Sequence, residues 1–549
     1  MEMTTPQRPV LFHVAPGEAT TTQPVHPLQN PPRNAHHGVM LVTGSAGATG
    51  LHSETAHTTR WTDRRVAIVI GAASALLAIA GSWIPSLWGD EAASIMSARR
   101  DWGSLGSLLG TVDAVHGLYY AVLHLWIDVV GTSPLAVRLP SGIAVGAASA
   151  GLYLLVSRLS ARRTAVIAAL VFAVLPRVTF LAVEARSMAL ATAAIVWLTL
   201  LLVRLLEAPA HRAWWWLYAV GLAIAVHLFV YVALLIPVHA LVVIVELRRT
   251  GRLRDIRMRS FLLAWAGAVL LSVPLGLLVI SQRDQVAFQR PWRMVTVDAV
   301  LVEQWFMLEA VAVVAWAFIA VSVAVVVPAR RGESEPTGDR RLLLLGAAWL
   351  VVPTAAVVVV AAITSLGYTA RYLAFCAPGA AILIALAVSS LPRRWMRAVS
   401  IIVIAGLALP AYLDQRSPYW KNDGTDWQAV ARVVAEVTEP GDGVVFDESV
   451  RPSRRPRLAM HAYPDGFRGL VDLTLVRPYH ETNGLWDVTA PLAAVDDRLQ
   501  GLDRVVVVAR SRHGVDDDVG TLRRAGFGPT ERTELVSTVV TVYERAPAP

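Results

Sequence analysis

The sequence predicts an all-α polytopic membrane protein with about eleven transmembrane helices and a small C-terminal extracytoplasmic α/β domain. Three observations predict this class. First, 55% of the 549 residues are hydrophobic and 16% are charged, whereas a typical soluble protein has about 25% charged residues. Second, apolar runs of about 20 residues, the length that crosses a bilayer, recur from Val66 to Leu413. Third, the charge density rises after Leu413, and short strand-like runs alternate there with helix-like stretches.

The apolar runs define the predicted crossings. These lie near 66–84, 135–157, 164–181, 187–206, 213–229, 230–247, 260–281, 300–328, 342–363, 371–392 and 398–413. Arg60, Arg64 and Arg65 precede the first crossing and predict a cytoplasmic N-terminus, because arginine is enriched in cytoplasmic turns. The alternation then places the other arginine-rich turns inside and everything after Leu413 outside. The apolar run 116–131 is expected not to cross, because about 16 residues is short for a span.

The net charge of +8 divides unevenly along the chain. Residues 414–549 carry a net charge of −4, so the preceding part carries +12. The basic excess therefore reflects membrane topology and not the binding of nucleic acid. The single cysteine, Cys376, excludes an intramolecular disulfide and a cysteine-rich metal site. Lys421 is the only lysine among the 49 basic residues.

Three domains follow from these patterns. Residues 1–60 are rich in Thr, Pro, Gly and His and lack a sustained apolar period, so we expect a disordered cytoplasmic tail. Residues 61–413 form the transmembrane domain, and residues 414–549 form the extracytoplasmic α/β domain. In the last domain, Thr425 and Asp426 are plausible N-caps of a predicted helix that ends near Val437.

The first outer loop carries the most informative motif. Asp90 and Glu91 are adjacent carboxylates directly after the first predicted crossing. Carboxylates at a membrane surface are costly to desolvate and often mark a functional site. Alternatively, both acids could simply stabilise the N-terminus of a helix.

A second polar group opens the apolar run 116–131. Asp113, His116, Tyr119 and Tyr120 lie within eight residues and could bind a polyol through hydrogen bonds and aromatic faces. A turn followed by interfacial tyrosine anchors explains the same residues.

Three arginines lie near the outer ends of different predicted crossings. Arg138, Arg186 and Arg371 could converge on an anionic group, because a guanidinium pairs with phosphate through two hydrogen bonds. Each could instead be an arginine that extends toward the membrane interface. Further candidates on the same outer side are Glu184, His227 and Tyr372.

Taken in order, these motifs resemble one group of enzymes. They are Gly-Asp-Glu (89–91), Gly-Leu-Tyr-Tyr (117–120), Val-Arg-Leu-Pro-Ser (137–141), Glu-Ala-Arg-Ser (184–187) and Ala-Arg-Tyr-Leu-Ala-Phe (370–375). The set is similar to that of the polytopic C-fold (GT-C) glycosyltransferases, specifically the protein O-mannosyltransferase and aminoarabinose transferase superfamily. The resemblance covers about residues 62–392. Where the aminoarabinose transferases have a Glu-Lys-Pro-Pro-type motif, this chain has Val-His-Gly-Leu (115–118), which argues against their lipid A substrate.

The resemblance implies transfer of a sugar from a polyprenyl-phosphate donor to an acceptor hydroxyl outside the cytoplasmic membrane, with inversion at the sugar. It implies that Asp90 is the general base and Glu91 a supporting carboxylate. Arg371 is the first candidate for the donor phosphate, with Arg138 and Arg186 as second candidates. The expected substrate-binding residues are Asp113, His116, Tyr119, Tyr120, Glu184, His227 and Tyr372.

The sequence leaves the substrates and the cofactor open. Mannose is the first expectation for the sugar and arabinofuranose the second, and the acceptor could be a glycan, a lipid-linked glycan or a protein. No cofactor is demanded, although two carboxylates and a phosphate could share a divalent cation. Membrane lipids are expected partners and nucleic acids are not.

Two readings from other classes remain beside the enzyme. About eleven spans with sparse internal charge also suit a transporter or a lipid flippase. However, the sequence has no internal repeat, and its polar candidates lie at the outer ends of the crossings and not at their centres. In the other reading, the membrane part is only a scaffold for the outer α/β domain.

Overall fold

A computed structural model of the chain describes residues 48–207, 211–251, 256–283, 295–327, 338–363, 368–421, 424–511 and 516–546. Most of the predicted N-terminal tail, residues 1–47, lies outside the described residues, and the first helix begins at Ala48. Residues 59–549 form one compact unit.

The secondary-structure elements in the described ranges before residue 415 are helices. The α-helices are α1 (Ala48–Ile79), α2 (Gly89–Ala98), α3 (Trp102–Thr111), α4 (Gly117–Val130), α5 (Pro134–Leu159), α6 (Arg162–Val174), α7 (Pro176–Ala182), α8 (Met188–Glu207), α9 (Arg212–Leu228), α10 (Ile236–Arg249), α11 (Ile256–Ser281), α12 (Glu309–Val326), α13 (Gly338–Ile363), α14 (Ala377–Ser390) and α15 (Arg394–Asp414).

The predicted polytopic all-α class is confirmed. Among the described residues, eight helical segments are long and apolar enough to cross a membrane, and the pair α6–α7 raises this number to nine. The other two predicted crossings coincide with α1 and with α9, which has 17 residues. The helix α4 has 14 residues, which is about 21 Å of helix and less than the roughly 30 Å of a bilayer core. Its length therefore agrees with the expectation that 116–131 does not cross.

One proline and two 3₁₀ segments shape the ends of several helices. Helices α6 and α7 meet at an angle of 62°, where Pro176 begins α7 and cannot continue the hydrogen-bond ladder of α6. Short 3₁₀ segments, Val230–Leu235 and Ala370–Cys376, lead into α10 and α14. The second segment carries Arg371 and Tyr372, and it is followed by α14, almost all of which is buried.

The C-terminal part is an α/β domain, as predicted. Its elements are α16 (Trp427–Val437), β1 (Gly443–Phe446), α17 (Leu458–Ala462), β2 (Val471–Asp472), β3 (Leu475–Arg477), β4 (Val488–Thr489), β5 (Arg504–Arg510), α18 (Asp516–Arg524), β6 (Phe527–Glu534) and β7 (Thr538–Arg545). The main sheet has the order β2-β1-β5-β7-β6. Strand β1 is parallel to β2 and β5, whereas β7 is antiparallel to β5 and β6.

This domain shares a hydrophobic core with the segment from α2 to α4. Ile95 of α2 and Tyr120 of α4 belong to the same buried cluster as Trp427 of α16. The contact is close, because a Cβ on Gly89 would overlap the carbonyl oxygen of Ser453. The backbone N–H of Leu87 also donates to the Tyr463 hydroxyl at 2.8 Å. The α/β domain therefore helps to fix the start of α2, where the two candidate carboxylates lie.

Candidate active site

Asp90 and Glu91 occupy the first turn of α2. Successive helical residues point about 100° apart, so the two carboxylates face different surroundings. The Asp90 side chain is 24% exposed and the Glu91 side chain is fully buried. The helix N-terminus favours both negative charges. Their environments nevertheless give them different chemistry.

Glu91 forms a buried two-point ion pair with Arg138 of α5. The distances are 2.7 Å from Nε to Oε1 and 2.6 Å from Nη2 to Oε2. The backbone N–H of Ala185 donates to Glu91 Oε1 at 3.0 Å, and Arg138 Nη1 donates to the carbonyl oxygen of Ser82 at 2.7 Å. Burial raises the pKa of Glu91, but Arg138 and Lys421 more than offset it, so the pKa lies below its ordinary value. Glu91 and Arg138 therefore join α2, α5 and the turn after α7.

Asp90 faces two arginines. Arg371 Nη2 lies 2.9 Å from Asp90 Oδ2, and Arg186 Nη2 lies 3.5 Å from Oδ1. Burial raises the pKa of Asp90, but the charges of Arg186 and Arg371 outweigh that effect and hold the pKa below its ordinary value. Asp90 is therefore ionised at neutral pH.

The arginines beside Asp90 remain partly accessible. The side chain of Arg371 is 25% exposed and that of Arg186 is 13% exposed. The Arg371 guanidinium lies 5.2 Å from the ring of Trp88 and 5.7 Å from that of Tyr372. Arg186, Arg371 and Asp90 together carry a formal net charge of +1. The group can therefore accept an anion, because guanidinium–phosphate hydrogen bonds are among the stronger ones in proteins.

The predicted group from 113 to 120 lies beside Arg186. The Tyr120 hydroxyl donates to Asp113 Oδ2 at 2.8 Å, and Arg186 Nη1 is 3.5 Å from the same hydroxyl. Asp113 has a φ of 58°, in the left-handed region that aspartate tolerates. Burial and the charge of Arg186 lower the pKa of His116 to about 4, so His116 is neutral at pH 7.

Two polar atoms of this group are buried and lack a partner in the described part of the chain. They are His116 Nδ1 and the Tyr119 hydroxyl oxygen. Buried polar groups in native proteins almost always have a hydrogen-bond partner. Both residues interact electrostatically with Arg186, so the two unpaired atoms belong to the surroundings of Asp90.

Glu184 forms an ion pair with Lys421. Glu184 and Lys421 are each 2% exposed. Lys421 Nζ also donates to the carbonyl oxygen of Val183 at 2.6 Å. The reasoning from sequence missed Lys421 as a site residue, although its being the only lysine was a signal.

Tyr372 lies next to Arg371, whereas the described hydrogen bond of His227 lies within its own helix. The Tyr372 ring packs 5.3 Å from that of Tyr231 and 6.0 Å from that of Phe229. These rings form an aromatic wall next to Arg371. His227 Nδ1 donates to the Ala223 carbonyl oxygen of its own helix at 2.8 Å. That hydrogen bond does not connect His227 with Asp90.

The described residues contain no group of three or more His, Cys, Asp or Glu side chains that could hold a metal ion. Asp90 and Glu91 both face guanidinium groups. The divalent cation considered from the sequence therefore has no ready set of carboxylate ligands within these ranges.

Comparisons with known proteins agree on the fold. A family model for dolichyl-phosphate-mannose-protein mannosyltransferases matches residues 118–277. The structure is similar to ArnT from Cupriavidus metallidurans bound to undecaprenyl phosphate, with a TM-score of 0.53 and 13% identity over 86% of this chain and 97% of that chain. The apo state of that ArnT gives a TM-score of 0.52 and 13% identity over 88% and 98% of the two chains. No curated protein matches the sequence.

The predicted resemblance to the C-fold glycosyltransferases is confirmed. The similarity to ArnT extends over almost the whole length of that protein, and the family match covers the region from α4 to α11. The chain is a multi-pass membrane protein with this fold.

Proposed function

We propose that this C-fold membrane protein transfers a sugar from a polyprenyl-phosphate donor to an acceptor hydroxyl on the outer side of the cytoplasmic membrane. The observation that carries the proposal is an ionised, partly accessible Asp90 between two partly accessible arginines. An inverting transfer needs a base for the acceptor hydroxyl and positive charge for the leaving phosphate. Both are present within one hydrogen-bonded group.

In the proposed reaction, Asp90 takes the proton of the acceptor hydroxyl. The acceptor oxygen bonds to C1 of the donor sugar as the bond between C1 and the phosphate oxygen breaks. Polyprenyl phosphate leaves, and Arg371 with Arg186 stabilises its negative charge. Glu91 and Arg138 act as supports, because both are fully buried and each is held by the other.

Donor binding also prepares the base. The two arginines that bind phosphate are the groups that hold the pKa of Asp90 low. A bound phosphate shares their charge and adds its own negative charge nearby, so it raises the pKa of Asp90. Asp90 thereby becomes a stronger base only when the leaving group is present.

The acceptor or the donor sugar is expected to use the unpaired polar atoms near Asp90. His116 Nδ1 and the Tyr119 hydroxyl are buried without a partner in the described chain, and sugar hydroxyls would satisfy both. Tyr120 and Asp113 bond to each other and give this surface a fixed shape. For Tyr372 and His227, contact with lipid or glycan is the expected role.

Mannose is the proposed sugar, because the family model that matches residues 118–277 describes mannosyltransferases. Purified protein in lipid vesicles is incubated separately with polyprenyl-phosphate mannose, arabinofuranose and aminoarabinose, each radiolabelled in the sugar. We expect consumption of the mannose donor with release of polyprenyl phosphate. Consumption of the arabinofuranose donor alone would contradict the proposed sugar. If no donor is consumed but the lipid changes leaflet, the protein is a flippase and the proposed activity is wrong.

A further inference from the structure

The only lysine of the chain is buried at this site. The sequence has 49 basic residues, and Lys421 is the single one that is not arginine. It lies between the last predicted span and the α/β domain, and its side chain is 2% exposed. Burying a charged side chain is costly unless it is paired, so this position needs a specific explanation.

The surroundings of Lys421 fit an ammonium group and not a guanidinium group. Nζ contacts a Glu184 carboxylate oxygen and the Val183 carbonyl oxygen, which are its oxygen partners in the described chain. Three aromatic rings enclose the rest, with centroids 5.6 to 5.9 Å from Nζ; they belong to Trp88, Phe180 and Trp420. Arginine would bring five N–H donors to two acceptors.

Glu184 connects Lys421 to the active site through a hydrogen bond with Trp88. Trp88 Nε1 donates to Glu184 Oε2 at 3.3 Å. Trp88 directly precedes Gly89 and Asp90 in the sequence. Its ring lies 5.2 Å from the Arg371 guanidinium, which in turn contacts Asp90. A continuous set of contacts thus runs from Lys421 through Glu184 and Trp88 to Arg371.

We infer that Lys421 is a positioning residue: it keeps Glu184 ionised, so that the Glu184 carboxylate holds Trp88, and through it Arg371, in place for the donor phosphate. The inference rests on the proposed function, because it assigns Arg371 to that phosphate. It also makes the segment after the last span part of the active site.

Glu184 depends on Lys421 because its other neighbours do not supply a dedicated counter-ion. The charged and titratable groups that act on it are Lys421, Glu91, Arg138, Arg177, Arg371 and Tyr119. Arg138 is paired with Glu91, and Arg371 is paired with Asp90. Arg177 donates to the carbonyl oxygens of Glu303 and Gln304. Burial holds the pKa of Glu184 above its ordinary value even beside Lys421, which is the strongest of the groups that oppose this effect.

The test is the pH dependence of transfer in Lys421→Met. Without the ammonium group, Glu184 binds a proton at neutral pH, and raising the pH removes that proton. We expect kcat/KM for the donor to fall about 10- to 100-fold at pH 7, the loss typical of residues that orient a site residue. We also expect the activity of the variant to recover as the pH rises above 7, whereas the wild type, whose acidic limb belongs to Asp90 and lies well below neutral pH, shows no rise in that range.

The double variant Lys421→Met/Glu184→Gln separates this role from simple packing. It has no carboxyl to titrate, so the recovery with pH must disappear. Arg341→Met is the matched control, because it removes a cation from a buried carboxylate, Glu246, elsewhere in the chain. It is expected to keep the wild-type pH profile.

Infrared difference spectra supply a readout independent of turnover. Lys421→Met should show the carbonyl band of a protonated carboxyl at pH 7 that is absent from the wild type and from the double variant. If Lys421→Met does not fold, the same band is expected in Lys421→Gln. Its amide can still donate to the Val183 carbonyl oxygen but carries no charge. A wild-type pH profile and no new band would overturn the inference. Failure of the wild type to use any donor would instead overturn the proposed function and leave the infrared test intact.

Discussion

Arg138→Met should destabilise the protein strongly. In the wild type, Arg138 donates twice to Glu91, at 2.7 and 2.6 Å, and also to the carbonyl oxygens of Ser82, Pro85 and Ser86. Methionine fills a similar volume but leaves Glu91 with the Ala185 N–H as its remaining described partner. Neither side chain of the pair is exposed, so water cannot replace the lost contacts.

Removing one partner of a buried ion pair costs about 3–5 kcal/mol. This corresponds to a change of about 150- to 5,000-fold in the unfolding equilibrium, since about 1.4 kcal/mol is a factor of ten. The assay is denaturant unfolding in mixed micelles, followed by tryptophan fluorescence. Arg158→Met is the control, because Arg158 and Glu207 form a partly exposed pair, 39% and 28% exposed, for which about 1 kcal/mol or less is expected.

The double variant Glu91→Leu/Arg138→Met should recover much of the stability lost in Arg138→Met. Replacing both members of a buried pair by apolar residues is often nearly neutral. The account would be refuted if Arg138→Met lowered the free energy of unfolding no more than Arg158→Met.

Three further predictions concern the site. Arg371→Gln should raise the donor KM with the free energy of unfolding nearly unchanged, and an unchanged KM and kcat in steady-state assays would remove Arg371 from the donor site. Arg186→Gln removes one of the charges that hold the pKa of Asp90 low, so Asp90 takes up its proton at higher pH. The acidic limb of kcat/KM should therefore move to higher pH, and a limb that stays in place or moves lower would contradict this. Gly89→Ala should lower transfer and loosen the α/β domain, because the new methyl group overlaps the Ser453 carbonyl oxygen; wild-type resistance to limited proteolysis would show that the overlap is relieved at no cost.

The membrane part of the fold was predictable because a bilayer imposes a local rule. Every crossing needs a long apolar run, and each predicted crossing coincides with helix in the structure. The strands β1, β5 and β7 were predictable for a similar reason, since their valine-rich runs are short and bounded by polar turns. Both signals lie within one stretch of sequence.

The partners of the charged residues were not predictable in the same way. Glu184 pairs with Lys421, which is 237 positions away in the sequence. Asp426 is the N-cap residue of α16, as predicted, but its carboxylate accepts hydrogen bonds from Ser537 and Thr538 and not from the helix. Such pairings depend on how separate elements pack. The family resemblance assigned Asp90 and Arg371 to one site, and in the structure their side chains lie 2.9 Å apart.

The central claim is that Asp90 is the base of a sugar transfer, and Asp90→Asn tests it most directly. The amide keeps the shape of the side chain but cannot take a proton. The measurement is single-turnover transfer from radiolabelled polyprenyl-phosphate mannose, with donor binding measured in parallel on the same vesicles. The account predicts that the rate falls about 10²- to 10⁴-fold while the donor still binds. A rate within a few-fold of the wild type, at equal donor occupancy, would contradict it.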